Sequence, residues 1–474
     1  MFVGREENVK RLEALWRKST SSMVVVSGRR RIGKSTLVET FAERSRCRFI
    51  EIEGLAPDEN MTNERQLANF CDRLAKATGT PDAKADSWPK AFDALDAAIP
   101  KNAKTVVFLD EISWMGRYDT AFAAYLKNAW DTQFSRKSRL VLVVAGSVSA
   151  WIQENILKSK AFVGRISVDM TLTELALPYC GAFWERKASR VSTRDMVDTL
   201  SVTGGVPKYL EEIDPSLSAD ENIRRLCFMP DGYLFRDFDC IFSDVFGAVQ
   251  AKRRILSALA DGPASVAELS AKFGKEPNGH LSDDLRDLKE AGFIAPFAGL
   301  NPKTAAPLRE VRYRLGDNYT RFYLKFIAPR SEAIRGGLFR FVSLDRLPGW
   351  ESVMGFQFEN LVLNNLRTLC PLIGLEGRLV TSAAPYVRRR SASSPGVQVD
   401  LLIQTPKSAY VIEVKRRVRI TGDVEREVQE KVARIPFPRG ISVRTVLVHE
   451  GEVAPEVEED GYFDFIIPIE QLMR

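Results

Sequence analysis

The first third of the chain alternates short apolar runs with stretches of helical spacing. MVVVS from Met23, TVVFLDE at 105–111 and RLVLVVAGS at 139–147 are β-branched runs with no polar alternation, which predicts strands buried on both faces of a parallel sheet. TLVETFAER, directly after the first run, has helical spacing, and residues 171–245 interleave acidic and apolar positions as helices do. From 248 the pattern changes. AVQAKRRILSALADGPASVAELSAKFG reads as two amphipathic helices joined at ADGPAS, HLSDDLRDLKEAGF as a third, and LREVRYRLGD as a strand with Val311, Tyr313 and Leu315 on one face. Three helices and such a strand are a winged-helix pattern. Further on, 351–370 predicts an amphipathic helix carrying Glu359 among apolar neighbours. VQVDLLIQ and AYVIEVK, separated by TPKS, predict a hairpin, and DVEREVQEKVARI at 423–435 a companion helix. The chain is therefore α/β, divided into 1–170, a helical segment 171–247, a winged helix 248–330 and a C-terminal α/β domain 331–474.

Composition narrows the class. The chain has 474 residues, 45% of them hydrophobic and 27% charged, which is too long for one core and ordinary for globular domains. LVLVVAG at 140–146 is the longest kind of apolar run present and falls far short of the roughly 20 residues that span a bilayer. No membrane partner is expected. MFVGREENVK lacks the apolar segment of a secretion signal, so the expected location is cytoplasmic. The six cysteines are scattered without a CxxC pair, and the two histidines, His280 and His449, are distant in sequence. Zinc, a disulfide framework and histidine-based catalysis are not indicated. The net charge of +6 is a mild bias towards anionic partners.

Candidate chemistry begins at 28. GRRRIGKST sits between a predicted strand and a predicted helix, the context in which GxxxxGK[ST] binds phosphate. Gly28 and Gly33 let the backbone curl, so that Arg29, Arg30, Arg31 and Ile32 present amides to phosphate oxygens. Lys34 is the expected β,γ-phosphate ligand, Ser35 the Mg²⁺ ligand, and Thr36 lies in the first turn beside them. The cofactors expected are ATP and Mg²⁺. In TVVFLDE, Asp110 is expected to hold Mg²⁺ and Glu111 to polarise the attacking water. The strand at 139–147 is expected between the P-loop strand and this one, with Ser147 at its carboxyl end as a nucleotide sensor or a helix N-cap.

FVGRE at 2–6, GRRRIGKST, LDE, AGS at 145–147, VGR at 163–165 and GGVPKYL at 204–210 together resemble the archaeal and bacterial ATPases related to AAA+ and STAND proteins, over roughly residues 1–245. The resemblance implies an additional-strand P-loop fold with a helical lid. It implies that Phe2, Val3 and Gly4 lie near adenine, that Pro207 sits in the lid over the base, and that Arg165 is a charge sensor or arginine finger. A finger working in trans implies a homo-oligomer. A surface ion pair is the competing reading of Arg165.

Asp400 with Glu413-x-Lys415, preceded by Glu359, resembles the PD-(D/E)xK nuclease superfamily, although Ala384-Pro385 stands remote from Asp400. Glu413 and Lys415, two apart on a strand, share a face. The resemblance implies a restriction-endonuclease-like domain with Asp400, Glu413 and Lys415 catalytic, and Glu359, Asp400 and Glu413 around Mg²⁺. Arg388, Arg389, Arg390, Arg416, Arg417 and Arg419 are expected to form a groove for DNA. Lys431 and Gln429 are phosphate contacts or part of a solvated face. On the third helix of the winged helix, Asp283, Asp284, Asp287 and Glu290 outnumber Arg286 and Lys289, so that helix is expected to repel DNA, leaving Arg312 and Arg314 for phosphate. The leading expectation is an ATP-driven switch coupled to a Mg²⁺-dependent DNA-processing domain. The alternative is a regulatory ATPase whose C-terminal domain is a catalytically inactive binding scaffold.

Overall fold

The structure, a computed structural model, describes residues 2–79, 84–147, 150–246, 250–274, 279–299, 301–302, 306, 308–390 and 395–474. The chain forms two compact units, one of Met1–Glu174 with Asp239–Val249 and Glu290–Gly292, the other of Leu175–Phe238, Gln250–Lys289 and Phe293–Arg474.

The first unit is built on β1 (Ser22–Gly28), β2 (Arg48–Glu53), β3 (Thr105–Asp110), β4 (Leu140–Gly146) and β5 (Ile166–Leu172). All pair in parallel, in the order β2-β3-β4-β1-β5. The three strands with uninterrupted apolar runs are the central ones and are buried at every position. The edge strands read RFIEIE and ISVDMTL, with exposed and partly exposed positions among the buried ones, because their outer flanks face fewer neighbours. Alternate residues of β1 feed opposite cores. Met23 and Val25 join Phe70, Trp88 and Phe92 on one face, while Val24 and Val26 join Leu37, Phe41 and Phe108 on the other. β4 does lie between the strands bearing the P-loop and LDE, as expected from the sequence.

In the second unit, helix Gln250–Ala260, helix Val266–Phe273 and helix Gly279–Glu290 accompany a small sheet of β6 (Ala264–Ser265), β7 (Ile294–Phe297) and β8 (Arg312–Leu315) in the order β6-β8-β7. Ser265 caps its helix reciprocally with Glu268, which stops the strand and starts the helix at one residue. A second sheet holds β9 (Ser382–Arg388), β10 (Val397–Gln404), β11 (Ser408–Ile420), β12 (Ser442–Val453) and β13 (Phe465–Pro468), ordered β13-β12-β11-β10-β9. β9, β10 and β11 form an antiparallel meander. β11, β12 and β13 are parallel, with helix Gly422–Arg434 crossing from β11 to β12.

Residues 175–238, expected to form most of a separate helical lid, are packed with the downstream chain. The Leu177 amide donates to Asn365 Oδ1 at 2.9 Å, and Tyr319 donates its hydroxyl to the Leu234 carbonyl. The firmest tie is Arg416, whose side chain is only 5% exposed. It pairs with Asp198 of helix Thr193–Thr203 at 2.6 Å and with Glu351 at 3.1 Å. Burial pushes the Asp198 carboxyl up, opposed by Arg416.

Removing one partner of a buried pair leaves the other charge desolvated, at a cost of about 3–5 kcal/mol. Arg416→Met should therefore lower the melting temperature of the second unit by several degrees, and Asp198→Asn in the same chain should recover much of the loss. Calorimetry of the single and double variants checks this; equal melting of Arg416→Met and the parent overturns it.

Candidate functional site

The P-loop runs from the end of β1 into helix Lys34–Ser45. A Cβ on Gly28 would stand 2.8 Å from the Leu172 carbonyl oxygen, so the loop leaves the sheet where only glycine clears β5. Gly33 caps the helix at φ +89°, and Arg31 is also left-handed at φ +69°. The Lys34 ammonium is buried. It donates to the Gly28 carbonyl at 3.2 Å and the Arg29 carbonyl at 3.4 Å, and lies 3.8 Å from Glu111 Oε1. Ser35 donates to Asp110 Oδ2 at 2.7 Å, joining the two residues expected to share Mg²⁺ although they stand 75 positions apart.

Glu111 follows β3 in a left-handed conformation, φ +47°, and is buried. Burial raises its pKa, opposed by the Lys34 ammonium and by the Ser147 amide, which donates to Oε2 at 3.3 Å. Ser147 thus reaches the site through its backbone. Arg30 lies over the Trp114 ring at 5.2 Å, beside Glu111 in the chain. Ile32 is buried in the core under the loop, and Thr36 occupies the helix's first turn. A serine hydroxyl on an acid, a lysine facing loop carbonyls and a desolvated glutamate match what a magnesium nucleotide needs.

Arg165 lies elsewhere. Arg165 precedes Ile166, which pairs with Met23 at the start of β1, so it stands at the sheet edge opposite the P-loop, roughly 17 Å away along five residues of strand. Its guanidinium grips Asp131 with both oxygens, at 2.7 and 2.8 Å, and holds that carboxyl down to about 2, with Lys127 adding to the effect. The surface ion pair is thus present, and Arg165 cannot serve the phosphates of its own chain. Phe2 packs partly buried against the core shared by β1 and helix Lys34–Ser45, with Arg44 over its ring, and Gly4 takes a positive φ of 66° after Val3. Pro207 opens the short helix Pro207–Glu211 of the second unit.

A second charge cluster lies on the five-stranded sheet. Ala409, Val411, Glu413 and Lys415 alternate on one face of β11, and helix Gly422–Arg434 covers that face through Val424 and Val428. Leu401 pairs with Ile412, which makes Asp400 and Glu413 the next positions on neighbouring strands. The Val414 amide donates to Asp400 Oδ2 at 2.9 Å. Glu413, 1% exposed, accepts from Lys415 at 2.7 Å and from Lys431 at 2.7 Å through each oxygen. Both lysines also reach Glu427, at 3.0 and 2.8 Å. Burial would raise Glu427, but its bonds to Lys431 and Lys415 hold it down to about 2. Burial, then Glu413, then Glu359 push the Asp400 carboxyl far above the carboxylate range, and burial raises Glu359 against the pull of Arg321 and Arg314.

The expected Mg²⁺ set of Glu359, Asp400 and Glu413 is not assembled as a cage. Among the described residues no three His, Cys, Asp or Glu side chains converge to hold a metal ion, and two ammonium groups engage the oxygens of Glu413. Lys431 belongs to the cluster and not to a solvated face. Its place was foreshadowed by Val424, Val428 and Lys431, which fall on one stripe of the helix. Four of the six arginines expected in a groove are engaged within the fold. Arg416 is buried in ion pairs, Arg417 holds Asp423 at 2.7 Å, Arg388 donates to the Pro395 and Arg434 carbonyls, and Arg389 pairs with Glu268.

Residues 2–213 match the family described as the ATPase domain predominantly from Archaea, and residues 250–295 match the bacterial regulatory proteins of the arsR family. The chain carries an archaeal-type ATPase domain. Over 432 residues it is 22% identical to an uncharacterized protein of Methanocaldococcus jannaschii, covering 90% of each chain. A 52-residue stretch, 11% of this chain, is 35% identical to an uncharacterized ATP-binding protein of that organism and covers 88% of it. A Walker-type ATPase of Pyrococcus abyssi superposes with a TM-score of 0.51 at 16% identity, over 68% of this chain and 95% of that one, a likeness of fold.

Downstream of the ATPase domain, the helix-turn-helix region alters the charge argument. Lys252 of the first helix pairs with both Asp284 and Asp287 at 3.0 Å, and Asp283 pairs with Arg286 at 2.9 Å. Three of the four acids thought to repel phosphate are therefore paired, but with two cations between them, so the segment keeps a net negative charge. The wing arginines have partners within the chain. Arg312 pairs with Glu268 at 2.8 Å, and Arg314 donates to Asn360 and to Asn364. His449 is buried on β12 with Nδ1 3.0 Å from the Gly451 carbonyl. All six cysteines are free thiols. Among the described residues no helix is long and apolar enough to cross a membrane.

The raised Asp400 carboxyl sets a pH dependence. Because the folded value exceeds the unfolded one, about 3.9, its contribution to stability is complete below that pH and is lost as pH rises towards the folded value. With chelator present, the melting temperature of Asp400→Asn relative to the parent should rise as pH increases above about 4. A difference that is constant or falls with pH overturns the burial assigned to Asp400.

Proposed function

We propose that the protein is an ATP-hydrolysing switch that acts on DNA, with the nucleotide cycle of its ATPase domain controlling the winged-helix and C-terminal modules. The carrying observation is the bond from Ser35 to Asp110 beside Lys34 and Glu111 at one edge of the sheet. Ser35 and Asp110 would hold Mg²⁺, which supplies charge neutralisation at the phosphates when bound. Lys34 binds the β- and γ-phosphates, Glu111 orients the attacking water, and the Ser147 amide fixes Glu111. Arg165, at the far edge, would act on the nucleotide of a neighbouring copy after leaving Asp131, which calls for a homo-oligomer.

Lys34→Ala should abolish ATP binding, whereas Glu111→Gln should keep binding and lower hydrolysis by about 100-fold or more. Arg165→Ala alone should lose turnover by about 1,000-fold. Mixed with Lys34→Ala chains, it should regain part of that turnover, since each oligomer then pairs an intact P-loop with an intact Arg165. A mixture as inactive as its components refutes action in trans.

DNA enters through the helix-turn-helix likeness, with Lys252 offsetting part of the charge of Asp284 and Asp287. As arranged, the C-terminal cluster is a salt-bridged scaffold and supports binding more than metal chemistry. A second reading, DNA cleavage, is favoured by Asp400, Glu413 and Lys415 standing on neighbouring strands in restriction-endonuclease order. Anisotropy of labelled duplex DNA with ATP, ADP or neither should show affinity that depends on nucleotide; equal affinity in all three states sinks the switch. Incubation of plasmid and single-stranded DNA with Mg²⁺ separates the readings. The scaffold reading expects intact DNA, and products that vanish in Glu413→Ala establish the nuclease in its place.

A further inference from the structure

We propose that the ATPase domain carries a second anion site, at the sheet edge opposite the P-loop, that takes a small phosphorylated ligand. A cleft of about 340 Å³ opens there where β3 and β4 begin and the chain approaches β1, lined by Trp16, Lys18, Ser19, Thr20, Lys104 and Arg139 among others. The seven residues of β1 separate it from the P-loop by roughly 20 Å, so it is no part of the nucleotide site.

Its charges are unmatched. Across the chain, cations near carboxylates are taken up by them, as Arg165 is by Asp131 and Arg416 by Asp198. Lys18, Lys104 and Arg139 have no ion-pair partner among the described residues, yet they share one cleft. Three such cations around one cleft raise the local concentration of anions. One wall of the site is held in place. Lys104 holds its ammonium 5.4 Å from the centre of the Trp16 ring, and that ring is fixed by its Nε1 bond to Ser45 Oγ at 2.8 Å and by stacking on Phe41 at 5.7 Å. Arg139 offers the planar donor fork that phosphate accepts in pairs, and Ser19 and Thr20 add hydroxyl donors. The volume lies at the small end of ligand pockets, roughly 300–1,000 Å³, which suits a phosphate or diphosphate group with little else and not a polymer laid across the surface.

Inorganic pyrophosphate is the probe. The full chain carrying Lys34→Ala, which silences the P-loop, is titrated by calorimetry with pyrophosphate at low and high salt. One weak site should remain, weakening several-fold as salt rises. Lys104→Met with Arg139→Gln should lower its affinity at least tenfold, while in a chain with Lys34 intact the same pair should leave ATP binding unchanged, which reports that the domain is folded. No heat from the Lys34→Ala chain, or heat indifferent to the double substitution, overturns the site. Competition with a short single-stranded oligonucleotide is the last arm: displacement by DNA at lower concentration than pyrophosphate overturns the small-ligand assignment.

Discussion

In a parallel sheet every strand delivers its carboxyl end to the same edge, and the chemistry of the ATPase domain depends on that constraint. Ser35 follows β1, Asp110 closes β3, and β4 lies between those two strands with Ser147 just beyond its end. The 2.7 Å bond between Ser35 and Asp110 is the local consequence. Because β1, β3 and β4 are buried throughout with apolar centres, both faces are covered, and the polar groups appear at the strand ends. The same geometry sends Arg165 and the cleft at Trp16 to the opposite edge, where they cannot join the nucleotide site of their own chain.

In the second unit, charge is spent within the fold. Arg416, Arg417, Arg389 and Arg312 each meet a carboxylate of the same unit, and Lys415 and Lys431 close over Glu413. A run such as KRRVR suggests a phosphate-binding surface when counted along the chain, but β-strand alternation sends successive arginines to opposite sides. Arg416 turns inward to Asp198 and Arg417 outward to Asp423. The acids of the third winged-helix segment show the converse. Asp284 and Asp287, three apart on one helical face, converge on Lys252, which offsets one of their two negative charges.

What the sequence by itself determined is mostly local. The P-loop, the buried strands, the β10–β11 hairpin and the winged helix are legible because strand and helix periodicity, glycine placement and short motifs are properties of neighbours in the chain. Even the position of β4 between β1 and β3 was readable, since it follows from a motif order tied to one topology. Tertiary structure alone decided the partners of long, charged side chains. That Arg165 faces Asp131, that Lys431 joins Lys415 on Glu413, and that Asp198 anchors Arg416 across 218 positions are not encoded in any spacing. The physical reason is that an ion pair needs only one favourable distance, which any two distant segments supply once packed, whereas a strand or helix needs a repeating pattern that must be written in consecutive residues.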